Sequence, residues 1–266
     1  VNGDVVTDGR HLVRAGDALE FSLNARRPEQ GLLGRDALVH VDPHVVVVKK
    51  PAGLSTVPYE DERDTLDQRV RALLGRGKSG GPGAPLGVVQ RLDKETSGLI
   101  VFARTVPAKR HLQQQFRVHS VERRYWALAL GRVRAATFAS RLVVDRGDGR
   151  RGSTDNPRLG REAVTHVRPL EVFAEVTLVE CRLETGRTHQ IRIHLAEAGH
   201  PLLGERVYTR EPVLALPAYG IQVPRLMLHA LSLGFEHPHT HGEVRFEMQP
   251  PPDFADVLAR LRARKA

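Results

Sequence analysis

The chain has 266 residues and a mass of 29.5 kDa, room for one large domain or one domain with a small appendage. Lys and Arg total 40 against 31 Asp and Glu, a net charge of +9, and only six of the 40 are Lys, so 34 are Arg. A single cysteine, Cys181, excludes an internally disulfide-stapled scaffold and a cysteine-rich zinc module, and no apolar run approaches the roughly 18 residues of a membrane span. The polar, acid-bearing start from Val1 to Leu12 reads as neither signal nor transit peptide, so a cytoplasmic place is expected. The excess of positive charge points to a polyanion, most simply nucleic acid, and the planar Arg fork suits phosphate.

Residues 1–25 read as short strands and turns, with Asn2-Gly3, Asp8-Gly9 and Gly16-Asp17 as turn signals. The stretch 27–36 is linker-like. Val45 to Val48 reads as a buried strand ended by Pro51 and Gly53. Thr65 to Leu74 predicts a helix with Leu66, Val70 and Leu73 on one face, and eight of the 13 residues from Gly75 to Gly87 are Gly or Pro, a surface loop. Leu99 to Ala103 is a second buried strand. Thr105 caps a helix carrying Ala108, Leu112 and Phe116. Tyr125 to Leu130 alternates as a strand, 146–161 is a charged excursion, and Val164 to Glu184 gives two strands turning at Phe173-Ala174. Thr188 to Ala198 predicts a helix ended by Gly199, with Ile191, Leu195 and Ala198 as its buried stripe. Leu226 to Phe235 is strand-like, and Asp253 is expected to cap a last helix. Without a regular βαβ alternation, the pattern favours an α+β fold: a mixed, largely antiparallel sheet with flanking helices.

Two tempting motifs fail on their own chemistry. Gly77-Lys78-Ser79 lacks the first glycine of a phosphate loop, since Ala72 stands there, and Gly80 to Gly83 cannot open a helix. His237-Pro238-His239-Thr240-His241 has no carboxylate at ligand spacing and reads as exposed loop histidines, and His189 and His194 do not share a helix face, so no metal is expected. Two other segments are richer. Gln90 to Gly98 carries four charges in nine residues and ends on a buried strand, so Asp93 is either a turn residue bonding local amides or a carboxylate held rigidly in reach of solvent. Thr185 to Leu195 is either an amphipathic helix with surface arginines or a helix start at which Arg187 and Arg192 meet an anion or a carboxylate.

In order along the chain, Lys50 to Leu54, Arg91-Leu92-Asp93 with Thr96 to Leu99, Arg124 to Leu128, Gly186 to Leu195 with Gly199-His200-Pro201 and Gly204, and Leu228-His229-Ala230 with His237-Pro238 together resemble the pseudouridine synthases, in their large-subunit-type branch. The match runs from about Leu38 to Pro252. Residues 1–26 resemble the C-terminal half of a small RNA-binding module shared with a ribosomal protein. With no initiator Met, the helical half of that module is expected before Val1, and the catalytic domain is expected over 37–266.

The resemblance implies an enzyme that isomerises uridine within RNA. The glycosidic C–N bond breaks, the base turns and a C–C bond forms, with no cofactor. It places the essential carboxylate at Asp93, its paired cation at Arg192 and the active-site tyrosine at Tyr125, as a base and as a surface for the uracil ring. Arg91 matches the residue that fills the gap left by the extruded nucleotide. Lys50, Arg187, His189 and Gln190 are expected to contact RNA, and Ile191 and Leu226 to line the uracil slot. Ribosomal RNA is the expected partner, with transfer RNA as the alternative, no membrane, and a monomeric state. Gln90 stands where the family usually has His, and Glu205 where Asp is common, read as a mild change in a loop. A non-catalytic RNA-binding protein on the same fold is the rival reading, and a nucleotide-dependent RNA enzyme is disfavoured by Ala72.

Overall fold

The computed structural model describes residues 33–59, 62, 64–75, 85–212, 214–217 and 220–264, with 15, 16 and 18. The half-module expected over 1–26, most of the 27–36 linker and Gly77-Lys78-Ser79 lie outside them.

The fold begins with a short 3-10 turn at Arg35–Ala37 and a hairpin of β1 (Leu38–Val41) and β2 (Val45–Lys50). Asp42 closes the hairpin by accepting the backbone N–H groups of His44 (2.6 Å) and Val45 (2.8 Å). After helix α1 (Leu66–Gly75) and the short β3 (Gly87–Val88), strand β4 (Ser97–Ala103) pairs with β2 from Val45↔Ala103 to Lys50↔Gly98. Their unbroken apolar runs arise because both faces are covered. Val46, Val48, Ile100 and Phe102 pack on the side of Leu66 and Val70 of α1. Val45, Val47, Leu99 and Val101 pack on the side of Ala108 and Leu112 of helix α2 (Val106–Arg117). Thr105 caps α2 as expected, its side chain accepting from the Ala108 N–H.

The second half of the sheet is antiparallel. Strands β5 (Glu122–Leu130), β6 (Ala136–Val143), β7 (Gly152–Thr154), β8 (Arg161–Val172) and β9 (Val176–Leu183) follow, then helix α3 (Gln190–Glu197) and a two-stranded ribbon of β10 (Ala215–Leu216) and β11 (Ile221–Gln222). Strand β12 (Leu228–Glu236), hairpinned to β13 (Glu243–Glu247), enters between β4 and β5, and helix α4 (Pro252–Ala263) ends the described chain. The spatial order is β1-β2-β4-β12-β5-β9-β8-β6-β7, with β3 on β4 and β13 on β12. Among the described residues, only β4 and β12 pair in parallel, through His229↔Ser97 and Ala230↔Gly98. Gly98 makes that joint possible: its φ is +127°, and a Cβ there would lie 2.3 Å from the Ala230 carbonyl oxygen. The fold is therefore the expected α+β arrangement.

Three local expectations are corrected. Asp253 does not cap α4; Pro251 is the N-cap, and Asp253 turns to the Arg225 guanidinium (2.9 Å). Helix α3 is not amphipathic, because Gln190, Arg192 and His194 are buried together with Ile191, Ile193 and Leu195. His237 is buried rather than exposed, its ring 3.0 Å from the Asp42 carboxylate. No helix among the described residues is long and apolar enough to cross a membrane.

Candidate active site

Asp93 lies on the loop between β3 and β4, and that loop is pinned from below. The Lys50 ammonium, 1% exposed, donates to the carbonyls of Pro51 (2.9 Å), Lys94 (2.9 Å) and Thr96 (2.8 Å), which uses its three donors. Burial pushes Lys50 down to about 7, against the pull of Asp93 and Glu95. Thr56 bonds both the N–H and the carbonyl of Leu92, and Gly53 N–H reaches the Lys94 carbonyl at 2.8 Å. Lys50 is thus a brace beneath the loop, not a residue of the cleft wall, so the expected RNA contact does not match its position.

The loop presents Asp93 to α3. Arg192 Nη1 lies 3.7 Å from one carboxylate oxygen and His189 Nε2 lies 3.9 Å from the other. Arg192 is held elsewhere: Nε and Nη2 donate to Glu205 at 2.7 and 2.8 Å, and the guanidinium sits 5.3 Å from the Tyr208 ring centroid. Glu205, 0% exposed, also accepts the N–H groups of Arg206 and Val207 at 3.0 and 2.8 Å. Burial opposes its charge, but the Arg192 fork and the amides of Val207 and Tyr208 outweigh burial and hold the carboxyl below its ordinary range. Glu205 is therefore no mild loop change. Sequence spacing could not reveal it, since the partner lies 13 residues away.

His189 occupies the left-handed region, φ +60°, as the residue before α3. Its Nδ1 lies 2.6 Å from the Tyr208 hydroxyl, and burial lowers its proton affinity. With Nδ1 accepting the hydroxyl proton, the ring proton sits on Nε2, the atom nearer Asp93.

A cleft of about 1310 Å³ crosses the sheet here, larger than the usual small-molecule pocket. Asp93, Arg192, Tyr125, Arg91, Arg187, His189, Gln190 and Ile191 all line it, so of the ten expected site residues only Lys50 and Leu226 do not. Leu226 is 2% exposed in the core, and Leu228, two residues on, takes the wall position. The Gln190 side chain is spent on structure, bonding Thr185, Thr165, Val164 and the Arg187 N–H. Tyr125 is 7% exposed, and burial raises its phenol above the ordinary value of 10.0, so it is protonated at neutral pH. That state suits contact with a ring more than proton abstraction by a phenolate.

Among the described residues, one group has metal-ligand chemistry: His111, Glu236 and His241, whose ligand atoms lie within 4.8 Å of one another. Gln115 fixes its protons. The Gln115 amide bonds both the N–H and the carbonyl of Glu236, so its nitrogen faces His111 Nδ1 at 3.0 Å. The His111 proton is then on Nε2, aimed at Glu236 (3.3 Å), the opposite of what a metal on Nε2 requires.

A carboxylate braced on a loop and approached by a guanidinium, with a phenol among the lining of the same arginine-rich cleft, makes this the candidate active site. The model of the RNA pseudouridylate synthase family matches residues 44–197, and the chain belongs to that family of isomerases acting on RNA. It is 35% identical over 271 residues to ribosomal large subunit pseudouridine synthase D of Vibrio cholerae, covering 98% of this chain and 82% of that one. The protein of the same name from Pseudomonas aeruginosa is 36% identical, covering 98% and 85%. Among solved structures, human RNA pseudouridylate synthase domain containing 4 aligns with a TM-score of 0.71 at 27% identity, covering 85% of this chain and 93% of that one.

Proposed function

We propose that this enzyme converts uridine to pseudouridine in ribosomal RNA, with Asp93 as the nucleophile. The observation that carries the proposal is the Asp93–Arg192 approach of 3.7 Å in a cleft that Tyr125 also lines. The Asp93 carboxylate attacks the ribose carbon, or stabilises its developing charge, as the C–N bond breaks. The uracil turns on the Tyr125 ring, carbon five bonds to the ribose carbon as any bond that carbon had made to Asp93 breaks and returns the free carboxylate, and the proton lost from carbon five is balanced by one gained at the ring nitrogen. Atoms and electrons close without a cofactor. Arg192 orients the carboxylate, Arg91 fills the gap left by the extruded nucleotide, and Arg187 and His189 contact the strand. The names of the relatives from Vibrio cholerae and Pseudomonas aeruginosa support ribosomal RNA over transfer RNA. A cytoplasmic monomer with its catalytic domain over 37–266 completes the proposal.

The test is release of tritium from RNA labelled at uracil carbon five. Wild type releases it, and Asp93→Asn releases none while still binding RNA. An active Asp93→Asn variant overturns the nucleophile. Binding by wild type without any release favours a non-catalytic RNA-binding protein.

A further inference from the structure

Buried cations in folded proteins are paired, because an uncompensated charge in a dry place is costly. Arg192 obeys this rule through Glu205. Arg123, on the same cleft, does not. It is 7% exposed, and its Nη2 donates to the Glu184 carbonyl at 2.8 Å. Its Nε is buried without a hydrogen-bond partner among the described residues. Among the described residues no Asp or Glu forms an ion pair with it, and the neighbouring charge is the like charge of Arg187. The Phe116 ring covers one face, 5.6 Å from the guanidinium carbon. Arg123 Nη1 lies beside Gly186, where an added Cβ would come to 2.5 Å of it and displace the end of the guanidinium. Of the four buried side-chain atoms without hydrogen-bond partners among the described residues, three belong to cleft residues: Arg123, Gln90 and Thr96. The unmet hydrogen-bonding capacity is concentrated where a ligand would lie.

We infer that Arg123 seats one backbone phosphate of the RNA, next to the uridine delivered to Asp93. The inference rests on the pseudouridine synthase reading and extends it to one atom group of the substrate. A neutral uracil carbonyl would leave the guanidinium uncompensated, whereas a phosphodiester supplies a full charge and two acceptor oxygens. Arg123 and Tyr125 are alternate residues of β5, so both face the cleft, about 7 Å apart along the strand. That span is comparable to the distance between a nucleobase and the neighbouring phosphate. Arg187 adds a second positive charge to the same place. The sequence reading passed over Arg123 because one arginine among 34 carries no distinguishing mark.

The experiment compares wild type with Arg123→Gln on short RNA substrates, each carrying one uncharged methylphosphonate linkage at a different position beside the target. Arg123→Gln raises KM roughly 10- to 100-fold, the range for losing a charged hydrogen bond, and changes kcat less than about threefold. The slope of log affinity against log salt falls by about 0.7, one phosphate's share on a single strand. One methylphosphonate position reproduces the KM loss in wild type and adds nothing in Arg123→Gln. Arg123→Lys restores the salt slope but only part of KM. A fall in kcat with KM and salt slope unchanged overturns the inference, as does a set of methylphosphonates that cost wild type and variant equally. If Arg123→Gln does not fold, Gly186→Ala displaces Nη1 without removing charge, and the same comparison applies. Absence of tritium release from wild type sinks the isomerase reading, whereas the binding slopes still judge Arg123.

Discussion

Glu205→Ala removes the counter-charge of a buried guanidinium. The variant leaves Arg192 Nε and Nη2, and the amides of Arg206 and Val207, without their acceptor, at a position with 0% exposure. Breaking a buried pair from one side costs roughly 3–5 kcal/mol. At about 2–4 °C per kcal/mol for a chain of this size, Tm falls by roughly 6–20 °C. The damage extends to catalysis. Arg192, released from its bidentate hold, is free to swing onto Asp93, so kcat for tritium release falls as well. Thermal melts of four proteins test this: wild type, Glu205→Ala, Arg192→Met and the double variant. The double variant is expected to be no less stable than the worse single variant, since each single change already abolishes the pair. Glu205→Asp keeps the charge and is expected to lose much less. A Tm within about 2 °C of wild type for Glu205→Ala, or strict additivity in the double variant, refutes the buried-pair argument. The pH dependence has a fixed sign. The folded Glu205 carboxyl titrates below its unfolded value, so its contribution is present above that value and is lost as acid carries the pH down through the folded one.

Lys50→Met keeps the volume of the brace but not its three bonds, so it is expected to change stability by less than about 2 kcal/mol yet lower kcat by displacing the Asp93 loop; melts and tritium release measure both. Because burial sets Lys50 near 7, activity is expected to decline as pH rises through that value and a carbonyl loses its partner. Over the window from about 7 to 10.5, this group favours folding increasingly with pH, because the unfolded chain retains the proton. Gly98→Ala would drive a Cβ to 2.3 Å from a carbonyl oxygen at a left-handed backbone, at a cost of roughly 2–5 kcal/mol, read from a denaturant melt. Asp42 is opposed by burial, but backbone N–H groups of Val45 and His44 and the rings of His40 and His237 outweigh this and keep its carboxyl well below the ordinary range. Its stabilisation is lost as pH falls below the unfolded value, so Asp42→Asn is expected to flatten the acid limb of a Tm–pH curve.

What the sequence disclosed follows from the range of the forces involved. Helix α1 was legible from its apolar spacing, and α2 from its apolar spacing and its Thr105 cap, because both signals are local. Strands β2 and β4 were legible because burial on both faces demands unbroken apolar runs. Strand β13 alternates Glu243, Val244, Arg245, Phe246 and Glu247, yet charges at three of five positions hid it among exposed loops. Of the two readings open for helix α3, the amphipathic one fails, since Arg192, Gln190 and His194 find partners in Glu205, Thr165 and Ser140, which no helical period can announce. Likewise, Asp93 and Arg192 could be assigned by resemblance, but Glu205 and Arg123 gain their meaning only from neighbours brought close by the fold.

The lone parallel joint between β4 and β12 has a consequence for the order in which the molecule becomes active. The strand at the centre of the sheet, β12, lies far along the chain from β4, and it joins two halves that are each antiparallel by themselves. Asp93 belongs to the early half, while Tyr125 and Arg192 belong to the later one. Such distant pairings form slowly. In refolding, the return of tritium release is therefore expected to lag behind the recovery of helix and strand signal, keeping time with the docking of one strand.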